Sequence, residues 1–172
     1  RPDRFLEVVK TASEGSGLPL ILCSQNPEIL QAGLEETEED RPIVYSATAE
    51  TLDRYIELSK EFKCPICLTS EDLAELRGMA RKAMNAGVAF LLAPITPANS
   101  LHEALLKLVT IRRAAIEHKY QELGHPIIAF PICDANHEEG WRDSVTASML
   151  MMRYADVLVT HSLEMPLLLP VF

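Results

Sequence analysis

The side chains able to do chemistry lie in a few short stretches: Ser24-Gln25-Asn26, Ser46-Ala47-Thr48, Thr69-Ser70, Pro94-Ile95-Thr96, Cys133-Asp134-Ala135-Asn136 and Thr160-His161-Ser162. They are rich in hydroxyls and amides and poor in strong acids and bases. Asp134 with His161 could form an acid-base or ligand pair, because a neighbouring carboxylate orients an imidazole and raises its pKa. The same two side chains could instead satisfy loop backbone groups. Asn26 and Thr48 could hydrogen-bond a ligand, yet each stands where a helix cap stands. The candidates for binding a ligand or cofactor are therefore Asn26, Thr48, Asp134, Asn136 and His161. No catalytic set and no metal set is read from the sequence.

The four cysteines do not alter that reading. Cys64-Pro65-Ile66-Cys67 has the C-x-x-C spacing of redox and metal sites, but it falls inside an expected strand and has no second pair. Alternation along a strand would turn the two thiols to opposite faces, so core packing is the expectation. Cys23 and Cys133 end or follow strands and lack a visible base. The acidic stretch Glu35 to Asp40 lacks the ligand spacing of a calcium loop and reads as a solvated turn. Lys107, Arg112, Arg113 and Lys119 read as a solvated helix face, with an anion or partner site as the alternative. Trp141 could anchor an interface or staple its own helix.

What must position these groups is a repeating scaffold. Apolar runs recur at Pro19 to Cys23, Pro42 to Tyr45, Pro65 to Leu68, Val88 to Leu92, Pro126 to Phe130 and Asp156 to Thr160. Their near-continuous apolarity is that of parallel strands covered on both faces. Helical stripes lie between them, with Asn26 before Pro27, Ser100-x-x-Glu103 and Asn136-x-x-Glu139 as helix starts. Gly17, Gly87 and Gly124 are placed as left-handed helix ends. Strand starts are spaced by about 23 residues until a long helix, from about Ser100 to Gln121, stretches one unit.

Strands alternating with helices imply a parallel sheet, doubly wound or closed as a barrel. No glycine-rich nucleotide turn is present, which favours the (β/α)₈ barrel. About six strand-helix units are visible where eight close a barrel. The expectation is a single domain over residues 1–172 forming the later three quarters of a barrel, with preceding units absent. The strand C-terminal ends are then the working face.

Composition narrows the partners. With 25 acidic and 16 basic residues the net charge is −9, which repels nucleic acid. No apolar run approaches the roughly 18 residues of a membrane span, and no signal-peptide core is visible. A cytoplasmic protein with reduced thiols is expected.

Several segments together resemble one family. Ser13-Glu-Gly-Ser-Gly-Leu-Pro-Leu-Ile-Leu-Cys23, Tyr45-Ser-Ala-Thr48, Lys63-Cys-Pro65, Ile111-Arg-Arg-Ala-Ala-Ile116, Arg153-Tyr-Ala-Asp156, His161-Ser162 and Leu167-Leu-Leu-Pro170 are similar to the large subunit of corrinoid iron-sulfur proteins. That polypeptide is also the gamma subunit of the acetyl-CoA decarbonylase/synthase complex. The resemblance implies a central barrel between an iron-sulfur domain and a corrinoid domain, neither present in this sequence. It implies pairing with a small barrel subunit and methyl transfer between a methyltetrahydrofolate or methyltetrahydropterin methyltransferase and acetyl-CoA synthase. Corrinoid and a [4Fe-4S] cluster are thereby implied for the whole protein, and no cofactor for these residues. The chain departs from the family pattern at Leu92-Ala-Pro94, where an aspartate-proline-glycine turn is expected.

The leading expectation is a non-catalytic barrel scaffold within a heterodimeric methyl carrier. The alternative is a pterin-binding methyltransferase or synthase barrel of the dihydropteroate-synthase type, using Asn26, Asp134, Asn136 and His161. A Schiff-base lyase is disfavoured because no lysine ends an expected strand.

Overall fold

The computed structural model describes residues 2–24, 26–37, 40–95, 100–131, 140–160 and 164–171. The elements run α1 (Pro2–Ser16), β1 (Ile21–Cys23), α2 (Pro27–Glu36), β2 (Ile43–Ala47), α3 (Leu52–Phe62), β3 (Ile66–Ser70) and α4 (Leu73–Ala86). They continue with β4 (Phe90–Pro94), α5 (Leu101–Glu117), β5 (Ile128–Ala129), α6 (Gly140–Met151), β6 (Val157–Leu158) and α7 (Met165–Leu168). Every one of these strands is followed by a helix. That is the alternation expected from the apolar runs.

The chain falls into two compact units. The first is Arg1–Thr69 with Gly78–Leu91, and the second is Ser70–Arg77 with Leu92–Phe172. In the first unit the strands follow the order β1-β2-β3-β4. Ile21 aligns with Ile43 and Cys23 with Tyr45 in parallel, and Val44 aligns with Ile66 before a register shift that pairs Ala47 with Leu68. All five residues of β3 are buried, as a central parallel strand requires.

The helices of this unit follow their sequence signals. Leu52, Tyr55, Ile56 and Ser59, at helical spacing, form the buried face of α3. Lys63, at φ 52°, ends that helix in the left-handed region. Against α2, the Cβ that Gly33 lacks would stand 2.8 Å from the Phe5 ring and 3.4 Å from Leu22 Cδ1. The missing side chain lets α1 and the helix-facing side of β1 approach the α2 backbone.

In the second unit Leu92 bridges Ile127 in parallel, and β5 pairs with β6 in parallel. Asp156 closes the pairing, because its carboxylate accepts from the Ile127 amide at 2.8 Å while its own amide donates to the Ile127 carbonyl. Leu92, Leu108, Ile111, Ile127 and Ile128 form the buried apolar centre.

Three boundaries differ from the sequence expectation. The long helix stops at Glu117 and is followed by a 3₁₀ turn over Gln121–Leu123, with Lys119 at φ 55° between them. Gly17 and Gly87 adopt positive φ, but Gly124, at φ −82°, ends the 3₁₀ turn without a left-handed residue. Cys64 precedes β3 rather than lying within it, although both it and Cys67 are buried.

Candidate functional site

The strand C-terminal ends of the first unit are occupied by helix starts. The Asn26 carboxamide oxygen accepts from the Glu28 amide at 2.8 Å, with Pro27 opening α2. Ser24 Oγ accepts from the Asn26 amide at 3.1 Å. Thr48 donates its amide to Thr51 Oγ1 at 3.0 Å, and the two hydroxyls lie 3.2 Å apart. Asn26 and Thr48 are both exposed, and both are held in turn and cap geometry. Asn26→Ala should remove about 1 kcal/mol of stability, measurable by urea unfolding; an unchanged midpoint would show that the cap contributes nothing.

The buried phenol of Tyr55 on α3 is a member of this face that no sequence signal marks. Its hydroxyl donates to the Ser24 carbonyl at 3.0 Å, and burial pushes its pKa up to about 12. It fixes the chain at the exit of β1. In Tyr55→Phe that carbonyl loses its donor, and the expected cost is about 1 kcal/mol, checked by thermal melting. A melt equal to that of the parent would show that water replaces the phenol.

Cys23, Tyr45 and Cys67 stand side by side across β1, β2 and β3. Cys23 and Tyr45 are in register, and the Tyr45 phenol is pushed up by burial and, to a lesser extent, by both thiols. Leu22 turns the other way, toward α2. Burial pushes the Cys64 thiol to about 11 and the Cys67 thiol to about 12, and raises Cys23 as well. Thiols this protonated are poor nucleophiles and poor ligands. Among the described residues no group of three or more His, Cys, Asp or Glu side chains could hold a metal ion.

The second unit has its own polar strand ends. Ser70 Oγ donates to Glu75 at 2.5 Å and accepts from the Asp72 amide at 3.0 Å. The Asp72 carboxylate then caps α4 through the amides of Ala74 and Glu75, at 2.7 and 2.8 Å. Lys107 reaches back from α5 to the carbonyls of Glu71 and Ile95, at 2.9 and 2.5 Å. A lysine does therefore stand at a strand end, just past β4, although no lysine lies there in sequence. Its ammonium is engaged by backbone carbonyls on both sides, which holds the side chain in a structural role.

Three arginines of this unit are also paired. Arg77 contacts the buried Glu122 at 2.8 Å and lies 3.3 Å over the Tyr120 ring. Arg112 lies 3.6 Å from Asp156 and over Tyr154, and Arg113 pairs with Glu117 one turn on. The basic stretch expected as a solvated face is in part an internal brace. Trp141 is exposed on α6. Asp134, Asn136 and His161, with Cys133, His137 and Thr96, lie outside the described residues.

Tyr55 and Lys107 act across 31, 36 and 12 positions. No local motif marks either one. Their placement depends on which helix packs beside which strand end.

Against solved structures, the chain is similar to dihydropteroate synthase from Thermus thermophilus in complex with 6HMPPP. The TM-score is 0.71 at 19% identity, covering 93% of this chain and 70% of that one. The fold is thus of the (β/α)₈ class, represented here incompletely. By sequence, the chain is 32% identical to the acetyl-CoA decarbonylase/synthase complex subunit gamma of Archaeoglobus fulgidus, over 98% of this chain and 37% of that protein. It is 34% identical to the same subunit of Methanosarcina acetivorans, over 95% and 36%. For Methanothermobacter thermautotrophicus the values are 30%, over 99% and 39%. The chain therefore spans little more than a third of the length of these relatives. The model of the CO dehydrogenase/acetyl-CoA synthase delta subunit family matches residues 1–172. From a match over its whole length, the chain belongs to the CO dehydrogenase/acetyl-CoA synthase delta subunit family.

Proposed function

We propose that these residues are the barrel scaffold of a corrinoid iron-sulfur methyl carrier, a cytoplasmic protein that passes a methyl group from a pterin-dependent methyltransferase to acetyl-CoA synthase. The observation that carries this reading is the alignment of nearly the whole chain with gamma subunits of acetyl-CoA decarbonylase/synthase complexes. The strand-end chemistry supports it. Asn26, Thr48, Asp72 and Lys107 are engaged by caps and backbone carbonyls, which suits a positioning element.

The described cysteines do not fit a [4Fe-4S] cluster, which takes four thiolates. Cys64 and Cys67 are fully buried and held protonated, and Cys23 stands on a different strand. Under this reading cluster and corrinoid belong to other parts of the whole protein. The partners under this reading are the small barrel subunit of the corrinoid protein, the methyltransferase and acetyl-CoA synthase.

The test is to mix the 172-residue chain with the small barrel subunit and measure sedimentation velocity, and separately to titrate the chain calorimetrically with methyltetrahydrofolate. The scaffold reading expects a stoichiometric complex and no saturable heat. A saturable heat abolished by Asn136→Ala would establish the pterin-binding alternative instead. Absence of any complex would overturn the scaffold reading.

A further inference from the structure

We infer that the exits of β3 and β4 form a binding site for a primary ammonium ion, which the chain fills with its own Lys107. The site arises where the parallel ladder breaks off. A residue bridged in a parallel pair donates its amide to one residue of the neighbouring strand and accepts at its carbonyl from the residue two positions further on. The Ile95 amide donates to the Ser70 carbonyl at 3.0 Å, so the next rung should run from the Asp72 amide to the Ile95 carbonyl. That rung is not made. The Asp72 amide donates instead to the buried Ser70 Oγ at 3.0 Å as the chain turns into α4.

The Glu71 carbonyl is stranded by the same turn. The amides that open α4, those of Ala74 and Glu75, are taken by the Asp72 carboxylate. Among the described residues no backbone amide donates to Glu71 or to Ile95. Two carbonyls left without amides at the end of a sheet need a donor, and Lys107 Nζ donates to both, at 2.9 and 2.5 Å.

The chemistry of the cradle selects that group. Two acceptors face one position, so a hydroxyl, with its single proton, could serve only one of them. An ammonium has three protons directed apart and a compact charge, whereas a guanidinium spreads both over a plane. The turn that supplies the carbonyls also carries Glu71, Asp72 and Glu75, whose negative charge favours a cation. Because Lys107 comes from α5, the filled site ties three segments, the exits of β3 and β4 and the third turn of a helix, at the strand C-terminal face. The face is thereby fixed there without an exchangeable ion.

Chemical rescue tests the site. Lys107→Ala deletes the ammonium and leaves the space of its stem, and its melting temperature should fall by roughly 5 °C. Propylammonium chloride, which replaces the deleted atoms, should restore about half of that loss or more, growing with the logarithm of its concentration as a bound ligand does. Tetramethylammonium chloride, of equal charge but with no N–H, should restore none, and the parent should respond to neither. Lys107→Met should lose as much as Lys107→Ala and gain nothing from propylammonium, because its own side chain fills the stem space. If Lys107→Ala does not fold unaided, recovery on refolding in propylammonium but not in tetramethylammonium chloride decides the same question. Equal effects of the two salts on Lys107→Ala, recovery in neither, or a variant that melts with the parent would overturn the inference.

Discussion

Iodoacetamide at pH 8 should alkylate Cys23 in the native chain while Cys64 and Cys67 remain unmodified until the protein is unfolded. The reactive species is the thiolate. A thiol with its pKa at about 12 rather than 9.0 carries about a thousandth of the thiolate, and one at about 11 about a hundredth. Burial acts twice, because it disfavours the charged form and also blocks the reagent. Cys23, exposed at the end of β1, is spared the second effect. Peptide mass mapping after timed labelling checks this, and comparable native-state rates at the three positions would show that the row of Cys23, Tyr45 and Cys67 opens readily. The same shifts set a pH window. Because the folded pKa values of Cys64, Cys67 and Tyr55 stand above their ordinary values, the stability they represent is fully present below about pH 9 and is lost as pH climbs toward 11 and 12. Alkaline melts should therefore fall over that range.

Leu68→Ala should cost about 2–5 kcal/mol, the largest effect expected from a single truncation in the first unit. Leu68 has no exposed surface and lies on β3, where every residue is buried. The neighbours of a central strand are tied by ladder hydrogen bonds and by helices on one face, so they cannot collapse fully into the space left behind. The loss then includes a cavity as well as the transfer of the deleted carbons. Against a total stability of about 5–15 kcal/mol for an ordinary domain, that is enough to leave a measurable unfolded fraction. Leu68→Met, which keeps the volume, should cost under about 1.5 kcal/mol. Urea unfolding of the pair decides the matter, and equal midpoints for Ala and Met would show that β3 is not a packed centre.

Much of the scaffold is legible in the sequence because its signals are local. The apolar runs name six strands, and each lies at or within a residue or two of a run, with β2 extended to Ala47 and β5 shortened to Ile128–Ala129. Asn26 before Pro27 and Ser100 three residues before Glu103 announce caps whose hydrogen bonds the structure contains. A cap involves residues two or three apart, and a strand covered on both faces is a short unbroken apolar run. Such features need no tertiary context.

Where sequence and structure part, the cause is competition between local and distant contacts. Periodicity alone carries the long helix to Gln121. The chain leaves it at Glu117 so that Tyr120 can lie under Arg77 and Glu122 can pair with it, a partnership 45 positions apart. Gly124 follows a 3₁₀ turn, whose end makes no demand for positive φ. The two thiols of Cys64 and Cys67 are both buried despite their spacing, because one precedes the strand and the other lies within it.

The amino-acid sequence by itself determined the succession of strands and helices, the caps at Asn26 and Ser100, and the thin supply of acids and bases at the strand ends. All of these follow from residues within a few positions of one another. Only the tertiary structure decided that Tyr55 holds the exit of β1, that Lys107 reaches the end of β4, and that Gly140, Ser144 and Ser148 make a seat for the last short helix. Those pairings join residues 12 to 36 positions apart or set one helix on another. They depend on which elements the parallel topology places side by side.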